Sequence, residues 1–234
     1  MDFARFVALL EQQALHFARA DQFDDRFEAA SGVQDLKARW DAHYLDFFRH
    51  AIRTAPRLSE PPPDEEVERE AARLLREFSQ SAALDRERLF VSCWHANAGE
   101  SEALWRLYCP PSTAGLAIQT TAERLLKAVG EVPVKVGKVQ YIDFAKGFAG
   151  IHERIFTKRK SLSHEVEVRL VIQEFHSTDE IGKSIPVNLE CLVVSVVPSP
   201  FAPRWFTRVV EATLRRYRVS VPLRPSEILA EPFF

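Results

Sequence analysis

The residues of this 234-residue chain best placed to do chemistry lie in one stretch, Phe156 to Leu170, which reads F-T-K-R-K-S-L-S-H-E-V-E-V-R-L. In a strand, alternate side chains share a face. Read as a strand from His164 to Gln173, the segment puts Glu165, Glu167 and Arg169 on one side. His164, Val166, Val168 and Leu170 take the other, with the three apolar residues directed into the core. Two carboxylates about 7 Å apart along a strand, beside a guanidinium and preceded by Lys158, can bind sugar hydroxyls or stabilise a developing cation. The plainer reading of such alternating charge is a solvated face. The expectation is a partly buried pair in a cleft, with Glu167 nearer to a ligand than Glu165.

Two further segments carry candidate chemistry. Trp94 and His95 end one apolar run, and Ser101, Leu104, Trp105 and Tyr108 recur at three- and four-residue steps, one stripe of a helix. Trp94, Trp105 and Tyr108 can wall a pocket and stack on a ring, or else form an aromatic core with satisfied N–H and O–H groups. Arg19, Asp21, Asp25 and Glu28 crowd a charge-dense turn, which reads equally as caps and surface ion pairs. Lone histidines such as His95 and His164 are more often structural or solvated than catalytic. Cys93 is expected to be buried in its strand and inert. Arg204, Arg208, Arg215 and Arg216 read as the solvated face of a closing helix rather than a phosphate site.

The elements that must position these groups follow from periodicity. Phe3, Phe6, Val7 and Leu10 make one helical stripe over 2–13, with Asp2 as cap, and a short strand Ala14 to Arg19 follows. Leu36, Trp40, Tyr44, Phe47, Phe48 and Ile52 predict a long amphipathic helix over 33–54. Residues 55–66, with Pro56 and Pro61-Pro62-Pro63, read as a stiff exposed linker, because triple proline cannot sit inside a helix or a central strand. A second helix over 64–83 turns Val67, Leu74, Leu75 and Phe78 inward, and together 33–83 form an inserted helical layer. Strands are expected over 88–94, 115–120, 132–143, 187–197 and 219–221, with Gly137 as a bulge or bend. Helices are expected over 100–108, 121–129 and 201–217. Short connections and few β-α-β periods favour a single α+β domain with a mostly antiparallel central sheet.

Composition removes several function classes. The chain carries 31 basic and 33 acidic side chains, so bulk charge does not point to nucleic acid. Eight glycines and no G-x-x-x-x-G-K, G-x-G-x-x-G, H-E-x-x-H or G-x-S-x-G leave the common phosphate, zinc and hydrolase signatures absent. Three scattered cysteines without a C-x-x-C pair suit a reducing, cytoplasmic setting better than disulfides or a metal site. Neither a leader nor a membrane-spanning run is apparent; the most apolar stretch, Leu192 to Val197, is far too short to span.

Taken in order, these segments resemble a bacterial family known as domain of unknown function 2971. The resemblance rests on Phe17 to Asp21, Asp25-Arg26-Phe27-Glu28, Trp105-Arg106-Leu107-Tyr108, Gly115-Leu116-Ala117-Ile118, Tyr141 with Asp143, and Lys158 with Glu165, Glu167 and Arg169. It covers about residues 3 to 197. Arg26 stands where the family's D-P-F-E turn has proline. Relatives also carry an aromatic-basic strand before the segment matching Met1-Asp2-Phe3, so the resemblance implies a strand ahead of the present first residue. It further implies a bacterial protein of the stress or phage-defence kind.

Three functions compete. The order of basic turn, aromatic helix and E-x-E strand resembles the site plan of ADP-ribosyltransferases, with NAD as co-substrate. In that reading Glu167 stabilises an oxocarbenium-like transition state, with Glu165 orienting the acceptor. Trp105 or Tyr108 stacks on nicotinamide and Arg19 or Arg169 holds pyrophosphate, with Asp21, Trp94 and Lys158 as further substrate- or cofactor-binding candidates. The alternative is a non-catalytic sensing or adaptor module, in which the same charges form a buried network and the helical layer binds a partner protein. The third is metal-dependent nucleic-acid cleavage by Asp25, Glu165, Glu167 and Lys158. The substrate, the partner and the oligomeric state are not legible in the sequence.

Overall fold

A computed structural model describes residues 1–56, 62–110, 113–176 and 178–233. In chain order the first half holds α1 (Phe3–Gln12), β1 (Ala14–Arg19), α2 (Lys37–Arg53), α3 (Asp64–Leu84), β2 (Leu89–His95), α4 (Glu102–Tyr108), β3 (Leu116–Gln119) and α5 (Ala122–Val129). The second half holds β4 (Lys135–Lys138), β5 (Gln140–Ile142), β6 (Thr157–Arg159), β7 (Glu167–Gln173), β8 (Gly182–Pro186), α6 (Leu189–Leu192), β9 (Ser195–Pro198) and α7 (Arg204–Arg216). The fold is α+β, as its patterning predicts. Its main sheet has five strands in the order β4-β7-β2-β1-β8, and β3-β9 and β5-β6 form two further two-stranded pairs. Among the described residues no helix is long and apolar enough to cross a membrane.

The chain folds as two compact units, with boundaries inside β1, β2 and the segments after residues 134 and 181. One unit comprises residues 1–17, 94–134 and 182–234. There α1, capped by the Asp2 carboxylate accepting from the Arg5 amide, buries Phe6, Leu9 and Leu10. Trp105, Cys109 and Val197 form a second core under Phe201 and Ile228. The Phe206 ring of α7 meets Phe3 edge-on, and Arg204, Arg208, Arg215 and Arg216 face solvent.

The other unit comprises residues 18–93 and 135–181. Its strands β2 and β7 bury Leu89, Val91 and Val171 with Ala20, Ala29 and Ile155. The acidic first turn of α3, Asp64-Glu65-Glu66, follows Pro63 and complements the positive end of the helix. Helices α2 and α3 close over an aromatic cluster in which Phe78 stacks on Trp40 and touches Tyr44 and Phe48. Of the proline linker, 57–61 including Pro61 lie outside the described residues, while Pro63 is exposed.

Several expected elements differ in the structure. The strand expected from His164 begins only at Glu167, because 160–165 wind into 3-10 turns and Val166 takes the left-handed conformation, φ 43° and ψ 55°. Val166 is therefore exposed rather than directed into the core. The apolar run 187–197 is not one strand: the Asn188 side chain caps the short α6 by accepting from the Cys191 amide, and pairing resumes at Ser195. The strand Gly182–Pro186, whose composition gave no apolar alternation, was not foreseen. No strand forms over 219–221; the chain bridges to Val196 only at Leu223. Gly137 is neither bulge nor bend, since it pairs in regular register with Arg169. Its reason is space: a Cβ there would lie 2.8 Å from the Phe156 ring.

Candidate functional site

The E-x-E-x-R segment lies in the unit built on β7. Each of its charged groups is fully enclosed: Glu165, Glu167 and Arg169 are 5%, 3% and 0% exposed. The left-handed turn at Val166 brings both glutamates to one cation. Lys158 of β6 places Nζ 2.6 Å from Glu165 Oε2 and 2.9 Å from Glu167 Oε2. Arg169 lies next along the same face of β7. Its Nε donates to Glu167 Oε1 at 2.9 Å and its Nη2 to Glu28 Oε2 at 2.8 Å. Its Nη1 donates to Glu28 Oε1 and to the Ile155 carbonyl. Tyr141 of β5 completes the shell, its hydroxyl oxygen accepting from the Glu167 amide at 2.9 Å.

Three carboxylates thus face two cations, and the low-dielectric surroundings make every partner decisive. Burial works against the Lys158 ammonium, but the Glu167 and Glu165 charges outweigh it and hold its pKa above the ordinary lysine range. Burial works equally against the Glu167 carboxylate, and the adjoining Arg169 guanidinium outweighs it, holding the carboxyl below its ordinary value. Arg169 is raised in turn, with Glu28 overcoming its desolvation. Cys93 departs from expectation, because the residue is exposed in β2 rather than buried. The protein packed about its sulfur, with the Glu167 charge next in weight, pushes the thiol well above its ordinary value.

Glu28 is the member that sequence reasoning left among surface turn residues. Its turn closes when the Glu28 amide donates to the Asp25 carbonyl at 2.9 Å and the Phe27 amide to Asp25 Oδ1 at 3.0 Å. Asp25 also meets Arg159 Nη2 at 2.8 Å, and the Arg159 guanidinium covers the Phe27 ring. The D-R-F-E turn is thereby tied to β6 through its aspartate and to β7 through its glutamate. Arg26 within the turn does not prevent this closure. The signal was present in the sequence, an Asp and a Glu three apart with an aromatic residue between, but nothing in it named Arg169 as the target.

Other candidates are engaged locally. Arg19 grips Asp21 with two hydrogen bonds, 2.7 Å and 3.0 Å, and donates to the carbonyls of Thr178 and Glu180. The hydrogen bond from Arg19 holds the Asp21 carboxyl below its ordinary value. In the first unit Trp105 is buried and donates its indole N–H to Glu100 Oε2 at 2.7 Å. The same carboxylate accepts from the Ser226 hydroxyl at 2.6 Å and from the Glu227 amide at 2.7 Å. Trp105 therefore follows the plainer expectation of an aromatic core with a satisfied N–H. Tyr108 is 45% exposed with its ring 5.1 Å from His95, and Trp94 is half-buried. Among the described residues no three of His, Cys, Asp and Glu converge where an ion could sit. The pair expected to be partly buried in a cleft instead belongs to a closed cluster of ion pairs. Comparison with protein-family models, with curated proteins and with solved structures returned no match.

Proposed function

We propose that this chain is a non-catalytic sensing or adaptor module in which the E-x-E-x-R segment is scaffold. The observation that carries the reading is the saturation of Glu167: both its oxygens receive hydrogen bonds from buried cations, Arg169 and Lys158. A carboxylate that stabilises an oxocarbenium-like transition state has to meet the sugar, and charge already spent on two enclosed cations is poorly placed for that. Arg169, which would hold pyrophosphate in a transferase, is wholly enclosed and donates from all three of its guanidinium nitrogens. The network fixes the D-R-F-E turn against β6 and β7, and the α2–α3 layer with exposed Phe47 is the surface assigned to a partner protein. A bacterial, cytoplasmic setting belongs to the same proposal, in keeping with three free cysteines.

The decisive experiment incubates the protein with labelled NAD at millimolar concentration, alone and with added protein acceptors. No nicotinamide release and no transferred label are expected. Turnover that disappears in Glu167→Gln while the variant keeps the parent's melting temperature would overturn the reading in favour of an ADP-ribosyltransferase-like enzyme.

A further inference from the structure

Beyond the ion network, the face of β7 that carries Glu167 and Arg169 continues through Val171 to Gln173. Those last two residues line a cavity of about 310 Å³ in the same unit, at the small end of the range for ligand pockets. Its apolar lining includes Leu89, Ile155, Val171 and Phe78 of α3. Phe78 is held by Trp40 and Tyr44 on one side of its ring cluster. Ile155 is fixed through its own carbonyl, which accepts from buried Arg169. The enclosed network therefore has a visible consequence, since it sets the position of the pocket floor.

The polar groups facing the cavity are unevenly charged. Arg88 and Lys135 contribute two cations, and Lys135 donates to the neutral Gln173 amide oxygen at 2.8 Å. Of the acids, Asp85 is neutralised by Arg154 at 2.6 Å and Glu174 is itself engaged, while His152 stands at the exposed rim. Arg88 Nε is enclosed yet makes no hydrogen bond among the described residues. A buried donor without a partner is destabilising, and an anionic oxygen in the cavity would satisfy it. We infer that this cavity binds a small aromatic carboxylate, its ring against Phe78 and Val171 and its anionic group at Arg88 and Lys135. The inference rests on the binding-module reading above, and it names the ligand class that such a module would sense.

Fluorine NMR with para-fluorobenzoate and its neutral isostere para-fluorobenzamide tests it. The parent should bind the benzoate saturably in the millimolar range and the benzamide at least about tenfold more weakly. Arg88→Gln should remove that difference at an unchanged melting temperature. Should Arg88→Gln fail to fold, Lys135→Gln on the exposed strand carries the same expectation. Ile151→Trp, at the rim, should block both probes. No saturable benzoate binding to about 10 mM, equal affinity for the two probes, or an undiminished difference in the folded cation variant would overturn the inference. Such a failure leaves the NAD result untouched, whereas Glu167-dependent NAD turnover would sink the binding-module reading with the pocket unaffected.

Discussion

Glu167 is the residue on which the two main readings part. Truncation in Glu167→Ala removes the carboxylate that enclosed Lys158 and Arg169 share and leaves donors of both without their partner, and breaking a buried ion pair in this way costs about 3–5 kcal/mol. Urea titration should show that loss as a lower midpoint at an unchanged slope. Glu167→Gln keeps one acceptor oxygen but not the charge, and should fall between parent and alanine variant. A cleft carboxylate would have given near-parental stability in both. Glu28→Ala should match Glu167→Ala within about 1 kcal/mol, because Arg169 depends on both carboxylates. The period-2 spacing put Glu167 and Arg169 on one face correctly. It could not say that this face is the enclosed one, since alternation is symmetric between inside and outside when both sets of side chains are bulky.

At the scale of elements, the turn at Val166 decides the geometry. A β-branched residue at φ 43° is strained by about 1–3 kcal/mol, and the ion pairs on either side hold it there. Glycine has no such penalty in that region. Val166→Gly should therefore be neutral or stabilising by up to about 1 kcal/mol in thermal unfolding. The same change inside a strand would be destabilising by about as much. Gly137→Ala tests the neighbouring strand. The added methyl would press on the Phe156 ring, and a loss of about 1–3 kcal/mol is expected, as for overpacking elsewhere. Had the glycine served a bulge, alanine there would chiefly disturb pairing with Arg169 rather than the Phe156 ring. A Phe156→Leu background should rescue the packing loss.

For the whole molecule the network predicts the pH profile of stability. Glu167 has a folded pKa below its ordinary value of about 4.3, so it stabilises the fold above that pH. Its contribution fades as pH falls through the lower, folded value. Lys158 has a raised pKa and stabilises below its ordinary value of about 10.4, losing that contribution only as pH rises through the higher folded value. Between about pH 5 and 10 the network's contribution should be flat, with a fall on the acid side that is shallower in Glu167→Gln. Urea midpoints across pH check this. Surface pairs such as Arg73 with Glu70 and Glu77 are exposed and add little. Added salt should for that reason move the midpoint far less than acid does.

Local pattern was enough for the amphipathic helices, for β1 and for the α+β class, because each depends on which residues recur on one face. The three- and four-residue steps of Trp40, Tyr44 and Phe48 and the apolar stripe of α1 are properties of neighbours in sequence. Gly182–Pro186 had no such pattern to read, because a strand that gains its order by pairing need not alternate. The candidate site was legible as residue types, Lys158, Glu165, Glu167 and Arg169, and as a charged turn at Asp25 and Glu28. Its character was not. That Glu28 is the partner of Arg169, 141 positions away, is a fact of tertiary packing alone. Whether a carboxylate binds ligand or holds a core depends on what surrounds it, and here what surrounds Glu167 is two buried cations.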